Sequence, residues 1–186
     1  MDLRESKIGG ACEIFLKPST DERGHFMRTY DSKIFEEYGL PTEWPEESES
    51  FSRIKGTIRG LHFQYPPDWE TKVIRAVSGE TFLAIVDLRK TSPTFGKWDS
   101  VVLSATKHNM FVVPRGCANG ICTLTENCIL AYKMDNHFNP KNQDNILWKD
   151  SDIGIDWPIN PPVIISARDT SAQTFKQFMK KSKRGL

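Results

Sequence analysis

The sequence predicts an all-β fold, an antiparallel β-sandwich or jelly roll with short peripheral helices, and three observations carry that prediction. Short runs rich in β-branched and aromatic residues recur from residue 71 to residue 134, with turn signals between them. Two further runs of the same kind precede them, so there are strands enough for two packed sheets. Helical spacing is confined to the ends of the chain, which excludes alternating β-α units.

In chain order, EIFLKP at 13–18 reads as a strand closed by a proline. Residues 31–40, DSKIFEEYGL, start with an N-cap candidate in Asp31 and stop at Gly39, with Ile34, Phe35 and Tyr38 at helical spacing. The run from Thr57 to Phe63 is again strand-like. Strict alternation sets Arg59, Leu61 and Phe63 on one face and Gly60, His62 and Gln64 on the other, with Gly60 leaving open space beside His62. TKVIRAV, a Ser78–Gly79 turn, TFLAIVDLR, a loop around Ser92–Pro93, WDSVVLS, MFVVP, GICTL and ENCILAYKM follow as strands. Pro66–Pro67 and Pro161–Pro162 sit between patterned segments, as loops do. From Thr170, Phe175, Phe178 and Met179 recur at helical spacing, predicting a docked helix. The basic stretch Lys180 to Arg184 is expected to fray into solvent over residues 180–186 rather than to bind nucleic acid.

A chain of 186 residues with no repeat and no Gly/Ser linker is expected to form a single domain spanning 1–186. At 38% hydrophobic and 26% charged it has apolar surface enough to fold. Lys plus Arg at 25 nearly balance Asp plus Glu at 24, so any anion site must be local. No stretch approaches the roughly 18 apolar residues of a membrane span, and MDLRESKIGG has no apolar secretory core, so a cytoplasmic location with no membrane partner is expected. Cys12, Cys117, Cys122 and Cys128 lack zinc-ligand spacing and read as reduced, buried or half-buried thiols.

Chemistry near neutral pH has only His25, His62, His108 and His137 to draw on for imidazole. A jelly-roll metal site would want His-x-His and a later carboxylate and histidine. The chain offers His62-Phe63-Gln64 and, later, Asn119, so no metal is expected. Nucleotide-cofactor and nucleophile motifs are missing as well, and no cofactor is expected. Arg23, Arg59, His62, Lys72, Tyr132 and Asp169 are basic or proton-transferring residues in or near strand-like segments. Spacing alone does not bring them together.

RGLHFQ at 59–64, Lys72, VDLRKTSPTFGKW at 86–98, PRG at 114–116, ILWKDSDIGIDWP at 146–158 and SARD at 166–169 together resemble the dTDP-4-dehydrorhamnose 3,5-epimerase family, in register from about residue 11 to 172. The resemblance implies a cupin-type jelly roll, a homodimer, no metal, and a substrate that is a nucleotide-diphosphate-linked 4-keto-6-deoxy sugar of surface-polysaccharide (lipopolysaccharide O-antigen) or other deoxysugar biosynthesis. Protons on C3 and C5 of such a sugar lie alpha to the C4 ketone, so a base can remove one if the enolate oxygen is stabilised, and reprotonation from the opposite face inverts the centre. By family position His62 would be the base, oriented by Asp169. Lys72 would stabilise the enolate, and Tyr132 would return the proton. Arg59 and Arg23 would bind the diphosphate and Phe26 the nucleobase, with Gln64, Asn119 and Arg168 also on the substrate side.

The chain also departs from the family pattern. PRGCANGI puts Cys117 and Asn119 where the family has an aromatic and a histidine, and Leu83 stands for an expected aspartate. Arg28, Glu47, Glu49, the pair His137-Phe138 and Gln143 alter further family positions around the nucleotide and sugar. Three readings follow: epimerisation at C3, C5 or both; ketoisomerisation through the same enolate; and binding of a sugar nucleotide without catalysis.

Overall fold

The computed structural model describes residues 1–182 and Leu186. The chain opens with β1 (Asp2–Glu5), β2 (Cys12–Phe15), a small hairpin of β3 (Ser19–Asp21) and β4 (Gly24–Phe26), and α1 (Ser32–Glu37). Then come β5 (Glu46–Ser52), β6 (Thr57–Gln64), β7 (Lys72–Ser78), β8 (Glu80–Asp87), β9 (Trp98–Ser104), β10 (Asn109–Val113), β11 (Cys117–Thr123) and β12 (Cys128–Met134). β13 (Gln143–Asn145), β14 (Ile164–Ile165), α2 (Ala167–Thr170) and α3 (Phe175–Lys181) complete it.

Two sheets face each other. One has the order β1-β2-β10-β7-β12-β5, the other β13-β6-β11-β8-β9, with the short β14 running parallel beside β6. All other pairings between these named strands are antiparallel. The period of two decides which layer each side chain enters. Ile74 and Ala76 of β7, Phe111 of β10, Leu83 and Ile85 of β8 and Ile121 of β11 meet between the sheets. Their neighbours Ala84, Val86, Ala118 and Cys122 point outward, where Trp148, Trp157 and Phe178 cover them. The opposite outer face, with Ile14, Val73 and Val112, is covered by Phe35 of α1.

The end helices follow from local chemistry. Asp31 accepts from the Lys33 amide at 3.1 Å and starts α1, and Gly39, at φ +67°, takes the left-handed turn beyond its end. α3 begins with a reciprocal capping box between Thr174 and Gln177 and buries Phe178 completely, while Met179, expected on the packed face, is 39% exposed. Lys180 and Lys181 lie within α3 and Lys181 pairs with Asp144 at 2.7 Å; residues 183–185 of the basic stretch lie outside the described residues. All four cysteines are buried, and burial pushes the thiols of Cys12 and Cys117 up to about 12 and that of Cys122 to about 11.

The loop from β8 to β9 shows what VDLRKTSPTFGKW is for. Asp87 is wholly buried, and its carboxylate accepts from Arg89 Nε and Nη2 at 2.9 and 2.8 Å and from Ser92 and Thr94 hydroxyls, both at 2.6 Å. Burial opposes its charge, yet these donors outweigh it and hold the carboxyl at about 2. A depressed carboxyl stabilises the fold at pH values above its unfolded value, and that contribution is lost as pH falls from about 4 towards 2. Asp87→Asn is expected to cost about 2 kcal/mol in urea unfolding at pH 7, a deficit that shrinks as the pH approaches 2.

Candidate active site

A cavity of about 480 Å³ opens at the inner face of β6, β7, β11 and β12 and is closed on one side by the segment from β14 to α2. β14 pairs with the start of β6, Ile164 with Thr57 and Ile165 with Ile58, so the turn after it carries α2 over His62. Ser166 caps α2 by accepting from the Asp169 amide at 3.1 Å, which aims the Asp169 carboxylate back at β6.

Asp169 Oδ1 lies 2.7 Å from His62 Nε2; the Gly60 amide donates to Oδ2 at 3.3 Å and Asn145 Nδ2 to Oδ1 at 3.4 Å. Burial works against the Asp169 charge, but the contact with His62 and these donors prevail and hold its carboxyl below the usual carboxylate range. An ionised carboxylate only accepts, so His62 Nε2 carries a proton, and in the neutral ring the lone pair is then on Nδ1. The pair is an oriented base.

The strict alternation expected along β6 does not hold. His62 pairs with Asn119 but Arg59 with Ile121, so three steps along β6 match two along β11. The extra residue is absorbed at Gly60, whose φ is +129°. As a result Arg59 and His62 both line the cavity, and Ile58, Leu61 and Phe63 all face the outer core. Nor does Gly60 leave space beside His62: a Cβ there would stand 2.5 Å from Gly120 Cα.

Lys72, at the start of β7, reaches the same cavity, its ammonium 3.0 Å from Glu70. Tyr132 of β12 lines it too and shares a hydrogen bond of 3.1 Å with Ser50 of β5. Burial raises the Tyr132 phenol, more than Ser50 and the charge of Arg59 lower it, so the hydroxyl keeps its proton at neutral pH. Arg59 is anchored on β5 through Ser52 Oγ at 3.2 Å and the Phe51 carbonyl at 3.0 Å, and the exposed Arg168 stands on the opposite rim. The two guanidinium groups make a local positive site, of the kind that can hold an anion in a near-neutral chain. Asn119 is 8% exposed at the cavity wall, and its Oδ1 has no partner among the described residues. Leu83 is fully buried between the sheets beside Ile121, so this wall of the interior is apolar.

The structure does not bring three of the expected binding residues to this cavity. Gln64 is buried and spends its amide on the chain itself, donating to the Asp68 and His137 carbonyls at 2.7 and 3.2 Å and accepting from the Asn139 amide at 2.7 Å. Arg23 and Phe26 sit on the β3–β4 hairpin, Arg23 paired with Asp21 at 2.5 Å and Phe26 73% exposed. Of the supporting residues, sequence reasoning missed Ser50, Ser52, Glu70, Asn145 and Ser166. Ser166 alone had a signal, the Ser-x-x-Asp spacing of a helix start. Among the described residues no group of three His, Cys, Asp or Glu side chains is disposed to hold a metal.

Comparison with known proteins agrees with this fold. The family model described as dTDP-4-dehydrorhamnose 3,5-epimerase matches residues 5–177. The enzyme of that name from Methanothermobacter thermautotrophicus is 39% identical over 175 residues, covering 93% of this chain and 94% of the relative. The crystal structure of the Bacillus anthracis enzyme, with TDP and PPi bound, superposes with a TM-score of 0.90 at 36% identity, covering 93% of this chain and 98% of that one. The Legionella pneumophila epimerase in complex with dTDP-4-keto-L-rhamnose gives 0.91 at 31% identity, covering 97% and 95%. An all-β jelly roll with an oriented histidine, a lysine and a protonated tyrosine around one cavity, matched over nearly its whole length, places this chain in the dTDP-4-dehydrorhamnose 3,5-epimerase family.

Proposed function

We propose that the chain is an isomerase that epimerises a nucleotide-diphosphate-linked 4-keto-6-deoxy sugar in deoxysugar biosynthesis. The observation that carries this reading is His62, held by Asp169 at 2.7 Å and opening on the cavity that Lys72 and Tyr132 also line. His62 Nδ1 takes the proton from a carbon alpha to the C4 ketone. The Lys72 ammonium meets the negative charge that develops on the C4 oxygen. Tyr132, which keeps its proton, donates it to the other face of the carbon and inverts the centre. Arg59 and Arg168 take the diphosphate, for which guanidinium forks are suited. The unpartnered Oδ1 of Asn119 fits a hydroxylated ligand, since an unpaired buried acceptor costs about 1–3 kcal/mol until a donor reaches it.

The exposed Phe26 and Arg23 fit a homodimer in which the hairpin of a second copy completes the nucleotide end of the cavity. Light scattering on the purified protein tests the dimer, and a monomer would sink it. Action in the cytoplasm on surface-polysaccharide precursors is part of the same proposal.

The reaction is tested in heavy water with dTDP-, CDP-, GDP- and UDP-linked 4-keto-6-deoxy sugars, following the C3 and C5 protons by NMR. Loss of one signal defines a mono-epimerase and loss of both the double reaction. Binding without loss of either would favour the non-catalytic reading. Tyr132→Phe separates the two half-reactions: proton abstraction survives, so deuterium still enters, while inverted product falls about 100-fold or more. Product formed at the wild-type rate would remove Tyr132 from the mechanism.

A further inference from the structure

Glu70 precedes β7 by two residues, on the loop that leads into Lys72. Its Oε1 lies 3.0 Å from Lys72 Nζ, with the side chains only 7% and 17% exposed. Glu46 and Asp135 add negative charge around Glu70, but Glu46 is engaged by His137 at 3.1 Å and Asp135 by Arg115 at 3.2 Å. Across the interior Leu83 offers no charge. Burial raises the Glu70 carboxyl by more than the Lys72 ammonium lowers it. The two residues also share the wall of a side pocket of about 200 Å³ with Tyr132 and Phe138.

We propose that Glu70 is the positioning residue for Lys72, fixing the ammonium towards the developing enolate; the proposal rests on Lys72 acting as the enolate stabiliser. A lysine head on four methylenes is a mobile point charge, and a group that stabilises a transition state must be in place before the charge develops. One ammonium proton directed at Glu70 leaves two for the C4 oxygen. Because the contribution is made to the transition state, it appears in kcat and not in KM.

The test compares Glu70→Gln, Glu70→Asp and Lys72→Met in the heavy-water assay, with dTDP binding by calorimetry as the control for folding. Glu70→Gln is expected to keep nucleotide affinity and KM within about three-fold and to lower kcat about ten-fold or more. Glu70→Asp, which keeps a carboxylate beside the ammonium, recovers much of the lost kcat. A Glu70→Gln enzyme within two-fold of wild type, or one whose loss lies in KM with kcat unchanged, overturns the proposal while leaving Lys72 in its role. A fully active Lys72→Met enzyme overturns both.

Discussion

Replacing His62 by asparagine is expected to lower epimerisation by about 1,000-fold or more, the scale of a lost general base, while leaving nucleotide binding intact. The side chain remains polar and the contacts of Arg59 are kept; what disappears is the basic Nδ1, together with the Nε2 contact to Asp169. Asp169→Asn probes the same unit from the other side. An amide can donate to the imidazole as readily as accept, so the tautomer with the lone pair on Nδ1 is no longer enforced, and a loss of about 100-fold or more is expected. The pH dependence has a definite sign. Asp169 is held below the ordinary carboxylate range, so on acidification its charge, and its part in orienting the base, is lost only below that range. Deuterium incorporation measured by NMR checks all three statements, and substantial exchange by the His62→Asn protein would refute the assignment.

The largest structural effect is expected from Gly60→Ala. Gly60 has φ +129°, where a Cβ is strained, and that Cβ would lie 2.5 Å from Gly120 Cα and 2.8 Å from the Asn119 carbonyl, both backbone and unable to swing away. Strain and overpacking together cost about 3 kcal/mol or more. In a domain of this size that lowers the melting temperature by about 6–12 °C. Activity should fall further than stability alone requires, because the Gly60 amide donates to Asp169 and the bulge sets His62 against it. Gly120→Ala is the control. Its added Cβ meets first the Leu61 Cδ2 tip at 2.9 Å, a group that can rotate, so the loss should be smaller. Equal melting temperatures for wild type and Gly60→Ala in a calorimeter would show that the bulge tolerates a side chain.

Much of this was legible in the chain. The long strands β7 to β12 follow from short β-branched runs, α1 from Asp31 and Gly39, and α3 from the spacing of Phe175 and Phe178, because each of these signals is local. β5 was not legible. EESESFS has neither alternation nor β-propensity, and it is a strand because β12 pairs with it residue for residue from Ser52 to Glu46. That pairing matters for the site, since Ser50 and Ser52 on β5 hold Tyr132 and Arg59. The few residues of β13 and β14 were equally unreadable, being too short for any periodicity and defined by β6 beside them.

His62, Lys72, Tyr132 and Asp169 were named from motifs, but their meeting was a matter of topology. Asp169 stands 107 residues from His62 in the chain and reaches it because β14 adds to β6 and Ser166 turns α2 inward. The face that Arg59 occupies was decided against the local pattern by Gly60, and the use of Gln64 for loop anchoring by the carbonyls folded around it. By itself the sequence determined the all-β class, the end helices and the chemical types available to the site, because propensity, capping and periodicity act between near neighbours. Only the tertiary structure decided which of those groups share a cavity, since register shifts, edge strands and long-range closure depend on partners distant in the chain.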